Sequence, residues 1–280
     1  MRLYGYNLTG PTERMSRVNQ CLCLAKVYFN YWFWPVIDKP KLVGLKNKHK
    51  GKRCFIIGNG PSLNGVNLDL LKDEITFATN GIFLLFDRTK FRPTYYLVED
   101  NLVAEDRSRE INAIRGITKF VPLRSSYCIN RSGTIYLNHN PEEDVVAESL
   151  VDGRFSLDAS LLTVGGNTVT FTCMEMAYHM GFGQVYLLGI DHNYEIPKSY
   201  RNKSKDENYV IESKEDDKNH FDQRYFGKGY RWHNPKVHLM EESYKIAKKV
   251  FEADGRQILN ATMGTKLDVF EKVNLGRLFA

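Results

Sequence analysis

The stretch Lys52-Arg-Cys-Phe-Ile-Ile-Gly-Asn-Gly-Pro-Ser-Leu63 decides the fold. Cys54–Ile57 is a short unbroken apolar run, the pattern of a strand covered on both faces. The glycine turn after it lets the backbone approach a ligand closely, and Pro61 is placed to open a helix. Ser62 and the backbone N–H groups of such a turn donate to anionic oxygens, so Gly58, Asn59, Gly60 and Ser62 are candidates for holding a nucleotide phosphate. The motif is neither a Walker loop nor a dinucleotide fingerprint, because the lysine of one and the third glycine of the other are missing.

The same pattern repeats outward from this strand. Residues 75–79, 95–98, 119–122, 134–137, 184–188 and 256–260 are further strand candidates. Residues 168–180 and 238–254 carry apolar residues at helical spacing and end at Gly181 and Gly255. Strands alternating with helices predict a Rossmann-like α/β fold, a mostly parallel sheet with helices on both faces. Ligands in such sheets bind beyond the carboxyl ends of the strands. That rule gathers Gly58–Ser62, Asn80-Gly81, Glu99–Asn101 and Gly189–Tyr194 around one crevice. Asp191 there is a candidate to orient His192, bind a sugar hydroxyl or ligate a metal.

Two regions flank this core. Residues 1–50 are expected to be an N-terminal appendage, helical over 11–33 and ended by Pro35, then a basic linker over 41–51. Residues 51–280 are expected to form the catalytic domain. Its 196–219 stretch is charge-dense without an apolar period and suggests a lid, extending to 232. After the charge-dense stretch come His220, Tyr225, Tyr230, Arg231 and His233, a set suited to a polar, ring-shaped acceptor. Either histidine is a candidate general base near neutral pH.

The chain of 280 residues has a net charge of +6, concentrated in Lys39–Arg53. That concentration suits an anionic substrate, a membrane surface or a solvated basic linker. No zinc-finger or RNA-binding signature is present, so nucleic acid is not an expected partner. Five cysteines without a CxxC pair fit a reducing, cytoplasmic setting. The first residues lack the apolar core of a leader. The aromatic-rich stretch 21–37 is too short and interrupted to span a bilayer. With the basic run behind it, residues 21–50 are a candidate for peripheral contact with the inner face of a membrane; packing on the domain or on a second copy is the alternative. HExxH, GxSxG and DXD patterns are missing, which disfavours zinc hydrolysis, serine hydrolysis and a metal-dependent sugar transfer.

Taken together, Gly58–Leu63, Thr79–Gly81, Gly165–Thr168, the run from Ala177 through Val185 to His192, Asn219–Phe221 and Asn260–Thr262 resemble the 6-hydroxymethylpterin diphosphokinase MptE-like family, whose bacterial members often accompany surface-glycan synthesis. More distantly the pattern is similar to bacterial CMP-dependent sialyltransferases. That resemblance implies that Asn59, Asn80 and Asp100 hold CMP, that Thr163-Val-Gly165 forms the turn before the helix, and that His233 is the base. Leu161 stands where those enzymes carry an arginine, and their paired tyrosines are matched only by Tyr194. The function implied is a glycosyltransferase using a nucleotide-activated, CMP-linked sugar and a glycan acceptor, with no cofactor required. The alternatives are a Mg²⁺-dependent diphosphokinase with Asp100 and Asp191 as metal ligands, and a nucleotide-binding scaffold without turnover.

Overall fold

A computed structural model describes residues 16–140, 150–151, 154–196 and 209–279. Its centre is an eight-stranded sheet. The strands that follow the opening motif are β1 (Arg53–Ile57), β2 (Thr76–Thr79), β3 (Tyr95–Leu97), β4 (Thr118–Pro122) and β5 (Thr134–Leu137). They step outward in one direction, each parallel to the last. The short strands β6 (Leu150–Val151) and β7 (Phe155–Ser156) form a separate antiparallel ribbon. The chain then returns to the other side of β1 with β8 (Gln184–Leu188). Past another short antiparallel pair, β9 (Val210–Glu212) and β10 (Arg231–His233), the sheet continues with β11 (Gln257–Asn260) and β12 (Glu271–Lys272). The sheet order is therefore β12-β11-β8-β1-β2-β3-β4-β5. The direction of winding reverses between β1 and β8, which opens a crevice at their carboxyl ends.

The expected strands are all present. Cys54, Phe55, Ile56, Ile57, Phe77, Leu187 and Leu188 are wholly buried, which explains their continuous apolar runs. Helix α5 (Val169–His179) is buried on nearly every side, and α6 (Val237–Ala253) buries Met240, Tyr244, Ala247, Val250 and Phe251 along one stripe. Strand β12 was not expected. It has two residues, both exposed, so it carries no apolar signal.

Three expectations are corrected. The N-terminal helix α1 (Arg17–Ile37) does not stop at Pro35 but runs through it. Proline removes one donor, yet Asp38 N–H still bonds the Trp34 carbonyl, and the buried Trp34 indole donates to the Tyr136 carbonyl at 2.7 Å. The part of that prediction over residues 11–15 lies outside the described residues.

The basic linker is not a free linker. Helix α2 (Lys39–Val43) buries Leu42 completely, and the turns after it bond the end of α5 through Asn47 N–H to His179 O and His49 N–H to Met180 O. Its lysines point outward while its backbone is docked, so composition alone reads it as unstructured.

The lid reading also changes. Residues 197–208 lie outside the described residues, but 209–232 are packed. Ile211, Phe221, Tyr225 and Trp232 are buried, and Arg107 holds the segment from beneath. Arg107 lies between α3 (Asn101–Asp106) and α4 (Ser108–Ala113). Its guanidinium donates to the carbonyls of Arg224 and Tyr225 and to the Tyr230 hydroxyl. Among the described residues, no helix is long and apolar enough to cross a membrane.

Candidate functional site

The winding reversal places a cavity of about 390 Å³ beyond the carboxyl ends of β1, β2, β3 and β8. That is within the ordinary size of small-ligand sites. Gly58, Asn59 and Gly60 enter from β1, Asn80 from β2, Asp100 from β3, and Asp191, His192 and Tyr194 from β8. The packed excursion supplies His220, Tyr225 and His233. The structure thus brings eleven of the expected site residues to one cavity.

Five others are elsewhere. Ser62 does not line the cavity. Its N–H and hydroxyl both donate to Asp191, at 3.0 and 2.7 Å, so the expected phosphate donors are already engaged by a carboxylate. Gly60 makes this clamp possible, because a Cβ there would lie 1.7 Å from Asp191 Oδ2. Thr163 is fully buried, with its hydroxyl 3.0 Å from His139 Nδ1, and Gly165 backs onto Glu99 and His139. Tyr230 and Arg231 face away from the cavity. Tyr230 accepts from Arg107, and Arg231 pairs with Asp106 and Glu105.

The turn that does face the cavity is Asn167–Thr170, at the start of α5. It was within reach of the sequence, since Gly165-Gly-Asn-Thr168 precedes the apolar helix; the resemblance placed the turn earlier, at Thr163-Val-Gly165. Thr168 is the N-cap, and its side chain makes no capping hydrogen bond. The first N–H groups of an eleven-residue helix, together with the positive end of its dipole, therefore open onto the cavity. Arg124 and Lys236 line the same space.

Backbone strain also gathers here. Among the described residues, four non-glycine residues have positive φ, and three of them, Asn80, Asn167 and His192, line the cavity. Such conformations persist where surrounding structure enforces them, often at functional sites. Asn59 is well buried, and its amide nitrogen donates to the Thr79 carbonyl and hydroxyl, at 3.0 and 2.9 Å. The Oδ1 atoms of Asn59 and Asn80 are buried without a hydrogen-bond partner. Buried acceptors left open in this way point to a ligand donor.

Among the described residues, each of the three histidines that line the cavity pairs with a carboxylate. His233 Nδ1 lies 2.9 Å from Asp100 Oδ2. His220 Nδ1 lies 2.7 Å from Asp217 Oδ2, with its ring stacked on Tyr225 at 3.8 Å. His192 Nε2 lies 3.1 Å from Glu241. Burial disfavours charge on His233, but the hydrogen bond and charge of Asp100 outweigh it and hold the imidazole pKa above its ordinary value. Burial likewise opposes the Asp100 carboxylate, while His233 and the Leu102 N–H bring its pKa below the usual range.

Asp100 is thus a partner of His233 and the N-cap of α3, not an open hook for ribose. Glu241 and Arg124 were missed because their roles depend on pairings across the fold, whereas Asp217, three residues before His220, was within reach of the sequence. Glu99 also lines the cavity, with Thr172 donating to it at 2.7 Å and His139 beside it at 3.5 Å.

The family model described as 6-hydroxymethylpterin diphosphokinase MptE-like matches residues 34–197, more than half of the chain. The chain belongs to this family. Its match covers β1 through β8 and so takes in the sheet-borne part of the cavity. Among solved structures, the MAf glycosyltransferase from Magnetospirillum magneticum AMB-1 is similar at 12% identity and a TM-score of 0.47. The similarity covers 81% of this chain and 34% of that protein, so the chain spans about a third of that neighbour's length. No curated protein matches the chain.

Proposed function

We propose that this member of the MptE-like family is a glycosyltransferase that takes a nucleotide-activated sugar, with CMP as the nucleotide, and needs no metal ion. The observation that carries the reading is the pairing, in one cavity, of open buried amide oxygens on Asn59 and Asn80 with a carboxylate-oriented histidine, His233. Amide acceptors suit the exocyclic amine and ribose hydroxyls of a nucleoside. The nucleotide phosphate is assigned to Asn167–Thr170 at the start of α5, not to the Gly58–Ser62 loop, because Asp191 takes the Ser62 donors and the Gly58 and Gly60 N–H groups donate to the Leu188 and Gly189 carbonyls.

In the transfer step, the acceptor hydroxyl oxygen forms a bond to the anomeric carbon and the bond from that carbon to phosphate oxygen breaks. The hydroxyl proton goes to Nε2 of His233, while Asp100 on Nδ1 fixes the tautomer and steadies the resulting imidazolium. The α5 N-terminus and Lys236 favour the departing phosphate charge. Tyr194, Tyr225, His192 and His220 are assigned to sugar and acceptor contacts.

The family description supports a second reading, transfer of diphosphate from ATP with Mg²⁺. The two carboxylates it would use are already occupied: Asp191 by Ser62, and Asp100 by Leu102 N–H and His233. Among the described residues, no group of three or more His, Cys, Asp or Glu side chains is arranged to hold a metal ion. Thermal shift with CMP, UMP, GMP and ATP, each with and without Mg²⁺, separates the readings. Stabilisation by CMP without metal is expected. Stabilisation by ATP with Mg²⁺ alone overturns the proposal in favour of the diphosphokinase.

A further inference from the structure

Helix α1 is anchored on one side and bare on the other. Its inner face is fixed by Trp34 to the Tyr136 carbonyl, by Asn30 to Arg131, and by buried Asp38 to Arg131 at 3.0 Å. Its outer face shows Val18, Leu22, Ala25, Phe29, Trp32, Phe33 and Val36. Trp32 is 81% exposed, Val36 69% and Phe29 59%. These positions recur at three- and four-residue intervals, so they form one continuous stripe along the helix. Beyond Pro35 the stripe runs on to Val43 of α2, which is 52% exposed.

The charges around this stripe have one sign. From Ser16 to Lys52 the sequence holds eight lysines and arginines and a single acid, Asp38, which is buried. Lys41, Lys48 and Lys50 are exposed just past the stripe's end, and Lys39 is half-buried there. Lys46 is answered by Asp158 of the same chain at 2.6 Å, but Lys39, Lys41, Lys48 and Lys50 make no ion pair among the described residues, and a second copy would bring those four against their like. An anionic lipid surface offers both complements: negative headgroups for the lysines and an acyl boundary for the aromatic rings. Tryptophan and phenylalanine on an otherwise apolar face, with lysines at its margin, match that layered environment.

We infer that the outer face of α1, with the lysines of Lys39–Lys50, docks the protein on an anionic lipid bilayer surface. The helix lies in the interface and does not cross it. This inference stands apart from the chemistry assigned to the cavity.

Co-sedimentation of the full chain with phosphatidylcholine vesicles, with and without phosphatidylserine, tests it. Binding is expected to the anionic vesicles, to weaken as salt is raised, and to be slight on phosphatidylcholine alone. The double variant Phe29→Ser/Trp32→Ser is expected to bind at least roughly tenfold more weakly. Lys39→Glu/Lys41→Glu is expected to lose at least roughly tenfold through charge. The lysine pair makes no contact that holds α1, so it remains informative if the aromatic variant is poorly folded; an unchanged urea transition confirms each fold. Equal binding to neutral vesicles, or none to either, overturns the inference. A concentration-dependent dimer in sedimentation velocity, dissolved by Phe29→Ser/Trp32→Ser without any vesicle binding, overturns it in favour of a second copy.

Discussion

Replacing Asp191 by alanine tests how the glycine loop is built. Its two oxygens take the Ser62 N–H at 3.0 Å and the Ser62 hydroxyl at 2.7 Å. Hydrogen bonds to a charged acceptor contribute roughly 1.5–3 kcal/mol each. Both residues are only partly buried, so water regains some of the loss in the variant. The expected destabilisation is therefore about 2–3 kcal/mol, near the lower bound for two such bonds. For a chain of this size that lowers the melting temperature by roughly 3–5 °C.

Urea unfolding followed by tryptophan fluorescence measures the stability, and calorimetric titration with CMP and with cytidine separates the phosphate contribution from that of the nucleoside. Ser62→Ala is expected to cost about 1 kcal/mol and to weaken CMP and cytidine by the same small factor. Asp191→Ala removes a negative charge from the cavity wall, so CMP affinity is expected to hold or rise. If Ser62→Ala costs no stability while weakening CMP about tenfold relative to cytidine, the loop is a phosphate cradle after all and the clamp argument fails.

Four further outcomes follow. His233→Ala is expected to lower transfer by roughly 10²–10⁴-fold while CMP affinity is kept. Asp100→Asn removes the group that holds the His233 pKa up, so the acid limb of the pH–rate profile should move to lower pH; an unmoved limb removes His233 as the base. Stability should fall between about pH 7 and pH 5, because burial holds His49, His139 and His179 below the ordinary value of 6.5, and the unfolded chain takes up their protons first. His233 acts with the opposite sign: its contribution is full below 6.5 and is lost as pH rises through its raised folded value. Urea midpoints across that range should therefore decline less in His139→Gln than in the parent. Gly81→Ala would place a Cβ 2.3 Å from the Tyr225 ring, which should cost about 1–3 kcal/mol and weaken nucleotide binding, read by the same titrations.

What the sequence made legible was what burial makes repetitive. Strands β1, β2 and β8 are covered on both faces, so their unbroken apolar runs located the sheet's centre and the crevice beside it. Helices α5 and α6 were equally plain. The excursion over residues 209–232 was not, because its buried residues mix Phe221, Tyr225 and Trp232 with polar Ser213, Asp217 and Asp222, with no period to mark them. Pairings of high sequence separation were also hidden. Asp191 lies 129 positions from Ser62, and His233 lies 133 from Asp100. Local pattern proposes residues for a site, but it cannot say which carboxylate will answer which donor.

The pairing of His233 with Asp100 joins two parts of the molecule with different origins. Asp100, Asn59 and Asn80 belong to strand ends, while His233 belongs to a segment that leaves the sheet after β8 and is pinned back by Arg107. In the proposed reaction, the donor is held by the framework and the proton acceptor is carried in by the excursion. The two responsibilities can then change independently. Substitutions within 209–233 can redirect which hydroxyl is used without touching how the nucleotide phosphate is held. Loosening Arg107 can silence turnover in a protein that still folds and still binds its nucleotide.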